Sequence, residues 1–452
     1  WTVAYIVWYY GLCEADVRLN CPVSFRANGQ DVITTDRIIT GRRQQFHRDQ
    51  FTQEFRVASS YEGSFNFLLG AFYYEEDAST GTSITHPALA EGAKVLGLPS
   101  LYEMYRVDSD PVKTESFALF GEGYFDLNEK TRFILGLRYT DDSKKSRSRL
   151  VLLNLAPDGW VEAEDDWQEV TGKATLEYSI TEGSMVYASY ARGYKAGGLN
   201  PGGPSDGEVF EPEFINSFEV GSKNVFFDGR LQANLGAFYY DYDDMQIGQV
   251  NEITTTTVNG DATVRGLEGE FVFAPTTALR LDLGLAWLKF EIDGFQSADQ
   301  GDPDGIAPGT TAALDDNGDP RYTDDGLLIK DLDGNVVRNA PEYSINMGAQ
   351  YDWQLPSGFS LTARADYFWQ DDFYANEFNK PSDKFDGWEQ LDLQVTLRPA
   401  GENWYAMLFV KNALDNDDVT RMNQEGPEVG LFRNVSVLEP RTYGVEVQLS
   451  FD

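Results

Sequence analysis

The sequence predicts an all-β chain, an antiparallel up-and-down transmembrane β-barrel. Three observations carry that prediction. Apolar residues recur with period two through many runs, several of them ten residues or longer. The breaks between runs alternate strictly between tight turns and long polar stretches. No stretch approaches the roughly 18 uninterrupted apolar residues of a membrane-spanning helix. A mean hydropathy of −0.40 still suits a barrel, because its strands alternate lipid-facing and lumen-facing side chains.

The period-two runs justify the strands. In "RLQANLGAFYY" Leu231, Ala233, Leu235, Ala237 and Tyr239 share one face, against Gln232, Asn234, Gly236 and Phe238. "RLDLGLAWL" sets Leu281, Leu283, Leu285 and Trp287 against Asp282, Gly284 and Ala286. "GFSLTARADYFW" sets Phe359, Leu361, Ala363, Ala365 and Tyr367 against Thr362, Arg364 and Asp366. The closing "GVEVQLSF" sets Val445, Val447, Leu449 and Phe451 against Glu446, Gln448 and Ser450. Such alternation reads as strands with one apolar face.

Connections decide between a soluble sandwich and a membrane barrel. Tight turns fall at "YEGS" near 62, "LNEK" near 128, "ITEG" near 181, "FDGR" near 228, "APTT" near 275, "LPSG" near 356 and "PAGEN" near 400. Between them lie longer polar stretches at 76–113, 143–165, 195–211, 292–340, 371–387 and 412–440, with a shorter one at 250–256. Strict alternation means a meander with every long loop at one end, as in outer-membrane barrels with short periplasmic turns and long extracellular loops. Greek-key sandwiches scramble that order. About fifteen strands follow residue 51, counted from period-two runs. The last runs toward the short-turn end, which places the C-terminus in the periplasm.

Composition agrees. The 452 residues carry a formal charge of −37 and a pI near 4.3, which argues against a nucleic-acid partner, since phosphate binding needs clustered cations. Aromatic content of 14% and hydrophobic content of 42% oppose disorder despite the charge. "WTVAYIVWYYGLC" has no basic leader and no start Met, so it is no signal peptide, and the chain is expected to begin inside a longer precursor. Cys13 and Cys21 in "CEADVRLNC" fit a small disulfide-closed loop in an oxidising compartment, with two independent thiols as the alternative. Zinc is disfavoured, because His47 and His86 lie far from both cysteines and a structural site needs four ligands.

The run "MVYASYARGYKAGGLNP" at 185–201 leaves a tight turn and travels outward. Tyr187, Tyr190 and Tyr194 fit aromatic girdles at the membrane interfaces. Arg192 and Lys195 fall where the strand leaves the apolar band.

These residues resemble the barrel domain of TonB-dependent receptors, active transporters of the Gram-negative outer membrane, and most of all the broad receptor group of sphingomonads and related alphaproteobacteria. The matching pieces include "FTQEFRVAS" at 51–59, "FNFLLGAFYYEED" at 65–77 and "SFALFGEGYFDLNEKTRFILGLRYTDD" at 116–142. They continue through "VTGKATLEYSITEGSMVYASYARGYKAGGLNP" at 170–201 and "EPEFINSFEVGSKNVFFDGRLQANLGAFYYDYDDMQ" at 211–246. "VNGDATVRGLEGEF" at 258–271, "NAPEYSINMGAQY" at 339–351, "FVKNALDN" at 409–416 and "EPRTYGVEVQLSF" at 439–451 complete the set. Each fragment alone is weak, but their order is specific. The resemblance implies a 22-stranded barrel occluded by a plug, with a TonB box that the TonB–ExbB–ExbD complex pulls. Neither plug nor TonB box is visible, and the first strands of the family pattern are absent. Residues 1–50 match poorly and are expected to be an early barrel strand plus loop, either contiguous with the barrel of 51–452 or a spliced piece of ordered chain.

Candidate sites are few. The loop 299–335 is rich in Asp. Asp315, Asn317, Asp319, Asp331 and Asp333 are weak Ca²⁺ candidates, since closely spaced oxygens suit that cation. Their spacing fails the EF-hand rule, and Asp-Gly and Asn-Gly pairs simply make turns, which is the favoured reading. Nothing resembles an active site, so no enzyme and no cofactor is expected. Residues at the outer ends of strands are the ligand candidates: Arg192, Lys195, Asn200, Trp369, Phe373, Tyr374, Arg421 and Asn423. The cations suit an anionic ferric chelate and the aromatics a flat or sugar-like ligand, with loop packing or girdle as the alternative for each.

Two functions compete. One is energised uptake of a scarce bulky nutrient, with a ferric siderophore as the commonest cargo and sugar, cobalamin-like or aromatic compounds open. The other is a non-transporting barrel in contact with lipid and lipopolysaccharide, serving as a surface scaffold, adhesion or assembly component, or as a passive pore. A soluble carbohydrate-binding β protein fails on loop alternation and strand length.

Overall fold

A computed structural model describes residues 2–9, 23–27, 30–35, 38–85, 105–152, 159–200, 209–251, 254–299, 306, 310–323, 326–401, 403–424 and 433–450. Its main element is a 17-stranded antiparallel sheet. In chain order the long strands are β1 (Thr2–Tyr9), β2 (Ile38–Ala58), β3 (Phe65–Thr85), β4 (Val112–Asn128), β5 (Thr131–Leu152) and β6 (Val161–Thr181). Next come β7 (Ser184–Lys195), β8 (Glu213–Phe226), β9 (Leu231–Asn251), β10 (Thr254–Phe273) and β11 (Leu279–Asp293). β12 (Tyr343–Gln354), β13 (Ser360–Gln370), β14 (Trp388–Arg398), β15 (Trp404–Lys411) and β16 (Thr442–Leu449) close the series. A short segment, Tyr105–Ser109, bridges the outer ends of β3 and β5.

Each long strand pairs with the next in sequence, so the sheet is a pure meander. Every tight turn named from the sequence joins a strand pair at one rim, and the longer connections stand at the other. The turn at Phe227, Asp228 and Gly229 has φ of 56°, 55° and 86°, the left-handed backbone that an Asp-Gly pair tolerates best. Parts of three of the long polar stretches are strand: β3 runs to Thr85, β5 to Leu152 with β6 starting at Val161, and β9 to Asn251 with β10 starting at Thr254, β5 and β6 being in register from Thr131↔Tyr178 to Ser148↔Val161. Polarity there marks strands that have passed the apolar band and face water on both sides.

Register assigns the faces, because residues two apart and their cross-strand partners share a side. Leu135, Leu137 and Tyr139 of β5 are exposed apolar residues, as are Leu176 and Tyr178 of β6, Phe218 and Val220 of β8, and Leu235 and Tyr239 of β9. The opposite face carries Arg138, Thr140 and Asp142, then Lys173, Glu219 and Glu268. An exposed apolar band over one face and a charged other face is the pattern of a wall between lipid and water.

Among the described residues no backbone register joins β16 to β2 or β1.

Buried apolar residues collect at the long-loop end. Met245 and Ile247 of β9, Ala262 of β10, Ile292 of β11, and Phe295 and Leu332 form one cluster, with Phe378 packed against it. The wall itself has no such interior, since one face is apolar outward and the other polar inward.

Candidate functional site

Two features can meet a ligand, the inner wall and the roof made by the long loops. On the inner wall most cations are neutralised. Arg364 of β13 donates Nε and Nη2 to Asp366 at 2.9 and 2.6 Å, and Nη1 to Asp282 of β11 at 3.1 Å. These residues, with Phe368, Trp388 and Gln390, line a recess of about 460 Å³. Across the wall, Lys173 of β6 pairs with Glu122 of β4 at 2.7 Å.

The tyrosines of β7 divide between faces. Tyr190 faces outward, its ring 5.0 Å from Phe218, as a girdle residue should. Tyr187 corrects the expectation: an odd separation puts it on the inner face, where its hydroxyl donates to Glu219. Tyr194 packs its ring against Phe214 at 5.6 Å. Beyond it the glycines fold inward. Lys144 Nζ donates to the Gly197 carbonyl at 2.7 Å, and Gly198–Leu199 pairs with Val209–Phe210. A Cβ on Gly197 would lie 2.6 Å from the Trp167 ring, and one on Gly198 2.2 Å from the Phe210 ring. The Gly-Gly pair is therefore required for this close approach.

The sequence-derived ligand candidates scatter. Arg192 shares the outward face of Tyr190, stacks on Phe214 at 4.4 Å and donates to Asn216 at 3.1 Å. Trp369 pairs with Ile345 on the same outward side. Lys195 lies 3.5 Å from Glu213. Asn200 exchanges two hydrogen bonds with the Thr257 backbone, at 2.9 and 2.8 Å. Phe373 is buried against Phe385 at 5.8 Å, and Tyr374 lies under Lys384. Arg421 is exposed, and Asn423 pairs through backbone with Asn434. None of them lines the recess at Arg364. The proposed Cys13–Cys21 bridge lies outside the described residues.

The calcium candidates serve turns. Asp315 Oδ1 accepts the Asn317 and Asp319 amides, both at 2.9 Å, which holds its carboxyl below the usual range. Asp331 accepts the Asp333 amide at 3.1 Å, and Asp333 accepts the Gly294 amide at 3.2 Å. Among the described residues no three His, Cys, Asp or Glu side chains converge as metal ligands.

The roof holds what the sequence reading missed. Three loops, 294–342, 371–387 and 412–441, meet at a buried charge cluster. Asp383, fully buried, takes Arg433 Nη2 at 2.6 Å and Lys380 Nζ at 3.6 Å. Asn376 Nδ2 donates to it at 2.5 Å. Lys380 also meets Asp299 at 2.6 Å, and Lys330, 5.6 Å above the Phe378 ring, lies 3.9 Å from the same carboxylate. Asn379 fastens the seam, accepting the Val336 amide at 2.7 Å and donating to the Val336 carbonyl at 2.8 Å. Nearby, burial pushes the Glu377 carboxyl up, against the opposing pull of Arg338 at 3.1 Å. Lone lysines in acidic loops were the only local signal, and their partners lie in other loops.

With this geometry in view, comparisons place the chain among known proteins. The family "TonB dependent receptor-like, beta-barrel" matches residues 7–416. The pesticin receptor of Yersinia enterocolitica is 27% identical over 284 residues, covering 60% of this chain and 40% of that protein. The metal-pseudopaline receptor CntO of Pseudomonas aeruginosa is 24% identical over 189 residues, 41% of this chain and 26% of that protein. Among solved structures, the ferric yersiniabactin uptake receptor FyuA of Yersinia pestis superposes with a TM-score of 0.71 at 18% identity, covering 92% of this chain and 56% of that one. The siderophore receptor PiuA of Acinetobacter baumannii gives 0.61 at 17% identity, with 91% and 56% covered. The chain thus spans less than half of the curated relatives' length and about half of the solved ones. These relatives are receptors, not enzymes.

Proposed function

Since the chain belongs to the TonB-dependent receptor β-barrel family of Gram-negative outer-membrane proteins, we propose that it forms the transport wall of a receptor for energised uptake of a scarce, bulky nutrient, a ferric siderophore or similar chelate. The observation that carries the reading is the division of faces: an apolar band outward, and inward a polar wall whose charges line recesses such as that at Arg364. The names of the relatives, receptors for pesticin, metal-pseudopaline and ferric yersiniabactin, support the cargo class.

In this reading the long loops face the exterior and the C-terminus the periplasm. Residues 1–50 supply an early strand and loop, and lipopolysaccharide contacts the outward face. TonB–ExbB–ExbD energises opening through a plug and TonB box. Lys195, Asn200, Arg421 and Asn423 at the outer rim are candidates for first contact with ligand.

The test is deletion of the gene in its source bacterium, followed by radioiron uptake from a panel of ferric siderophores with and without a protonophore. Loss of protonophore-sensitive uptake of one chelate supports the reading. Unaltered uptake of every chelate, together with protonophore-insensitive passage of small solutes through the reconstituted protein, overturns it in favour of a passive pore.

A further inference from the structure

We propose that the outward face of β7 to β11 seats one acylated glycolipid that carries a phosphate at each end of a disaccharide, the lipid A class. The inference rests on the outer-membrane reading and deepens it, giving the lipid contact a place and a chemistry.

Register lays out the site in rows across the lipid-facing side. The first row, Ala188, Val220, Ala237, Leu267 and Trp287, is wholly apolar. One step nearer the long loops stand Tyr190, Phe218, Tyr239, Arg265 and Lys289. The next row carries Arg192, Asn216, Asp241, Thr263 and Glu291. Beyond it come Asp243, Asp261 and Asp293. Moving outward from the apolar band, the first charges met are therefore cations, and the carboxylates follow. A chain of net charge −37 thus presents positive charge where the hydrocarbon ends.

The wall below these cations is hollowed. A recess of about 640 Å³ opens on this face. Ala174, Ala188 and Ala237 stand in it between the larger Leu176, Phe218 and Tyr239 side chains. Small residues lower the floor and exposed large ones raise the sides, which leaves a groove for a chain of methylenes. Tyr190 closes its outer end, its hydroxyl donating to Asn216 at 3.1 Å.

The cations stand in two groups. Arg265 lies 3.3 Å and Lys289 2.6 Å from Glu291, so two positive charges share one carboxylate. Arg192 donates to Asn216 at 3.1 Å and is 3.9 Å from Asp243. All three side chains are more than a third exposed. Arg192 on β7 and Arg265 on β10 are separated by three strand spacings, about 14 Å across the sheet. Arginine forks suit phosphate oxygens. A phospholipid has one phosphate and engages one group. A disaccharide phosphorylated at both ends reaches both, with an acyl chain in the groove between them.

The experiment uses the full-length receptor purified from outer membranes, stripped of lipid and re-equilibrated in detergent with one probe at a time. The probes are bisphosphoryl lipid A, monophosphoryl lipid A and phosphatidylglycerol, and native mass spectrometry counts lipid retained per protein. Bisphosphoryl lipid A is expected to bind tightest, at one per chain. Arg192→Gln, Arg265→Gln and Lys289→Gln should each weaken it about fivefold. Arg192→Gln should also bring it to the monophosphoryl level. Ala188→Leu with Ala237→Leu fills the groove and should weaken it about tenfold. Lys145→Gln removes an outward cation of β5, away from the site, and should change nothing. Heat-dependent gel migration establishes that each variant is folded, and Ala188→Val replaces the filled groove if that variant is not.

The inference is overturned if phosphatidylglycerol or monophosphoryl lipid A binds as tightly as the bisphosphoryl form. It is also overturned if Lys145→Gln weakens binding as much as Arg265→Gln, or if the filled groove binds normally. Uptake of ferric chelates is measured in parallel. Failure of the lipid site with energised uptake intact leaves the transport reading standing, and loss of all uptake with lipid A retained removes that reading alone. A protein that neither fractionates with the outer membrane nor retains any lipid loses both.

Discussion

Asp383→Asn is expected to loosen three loops at once while leaving the barrel wall intact. The Asp383 carboxylate is fully buried and is shared by Arg433 at 2.6 Å, Lys380 at 3.6 Å and Asn376 at 2.5 Å. Substitution keeps the shape and removes the charge. Lys380 then depends on Asp299 alone, a carboxylate that Lys330 also uses. Removing one partner of a buried ion pair costs about 3–5 kcal/mol. The lower end applies here, because the Arg433 side chain is 29% exposed and water screens part of the loss. A loss of about 3 kcal/mol raises the open fraction of the roof by roughly two orders of magnitude. Hydrogen exchange read by mass spectrometry measures that opening segment by segment. Protection should fall about a hundredfold in 294–342, 371–387 and 412–441 together, with β11 to β14 unchanged. A loss confined to 371–387, or smaller than about threefold, would refute the account of the cluster as a shared fastening.

Two further outcomes follow from the same region. Asn412, 2% exposed with φ of 47°, donates Nδ2 to the Asn416 and Glu439 carbonyls at 2.7 and 2.9 Å, and its amide donates to Asp392. Asn412→Ala leaves the Asn416 and Glu439 carbonyls without their donor, at about 1–3 kcal/mol, which should lower the temperature of the heat-modifiable gel shift; an unchanged shift contradicts the fastening of "NALDN" to "EPR". Glu377 has its pKa raised by burial, so the native loop holds its proton to higher pH than the opened loop does. Stability of the 371–387 loop is then fully present below the ordinary carboxyl range and is lost as pH rises through the folded pKa. The opening free energy should fall with rising pH in the wild type and stay flat in Glu377→Gln; parallel profiles would remove Glu377 as the cause.

"FVKNALDN" and "EPRTYG" show how far sequence reading reaches. Both fragments marked the family, and the structure explains them: Arg441 pairs with Asp415 at 2.6 Å, and Asn412 spans the gap to Glu439. Their reciprocal contact was not legible, because the two lie on opposite sides of a long loop. The same limit divided the ligand candidates. Arg192 and Lys195 look equivalent along the chain, yet alternation sends Arg192 outward to Phe214 and Asn216 and puts Lys195 beside Glu213.

The features legible in the amino-acid order are local. Period-two hydropathy specified the strands, and Gly, Asp and Asn placed the tight turns. Their alternation with long polar stretches specified a meander with all long loops at one rim. These follow from backbone geometry within about ten residues, so no tertiary information is needed to read them. Which charges are buried, and which partners they meet, depends on the folded arrangement of distant segments. Asp299, Lys380 and Arg433 come from three loops. Tyr239, Arg265 and Lys289 come from three strands whose register sets them side by side. A side chain's partner depends on how distant segments align, and a one-residue slip would turn every one of these groups to the other face.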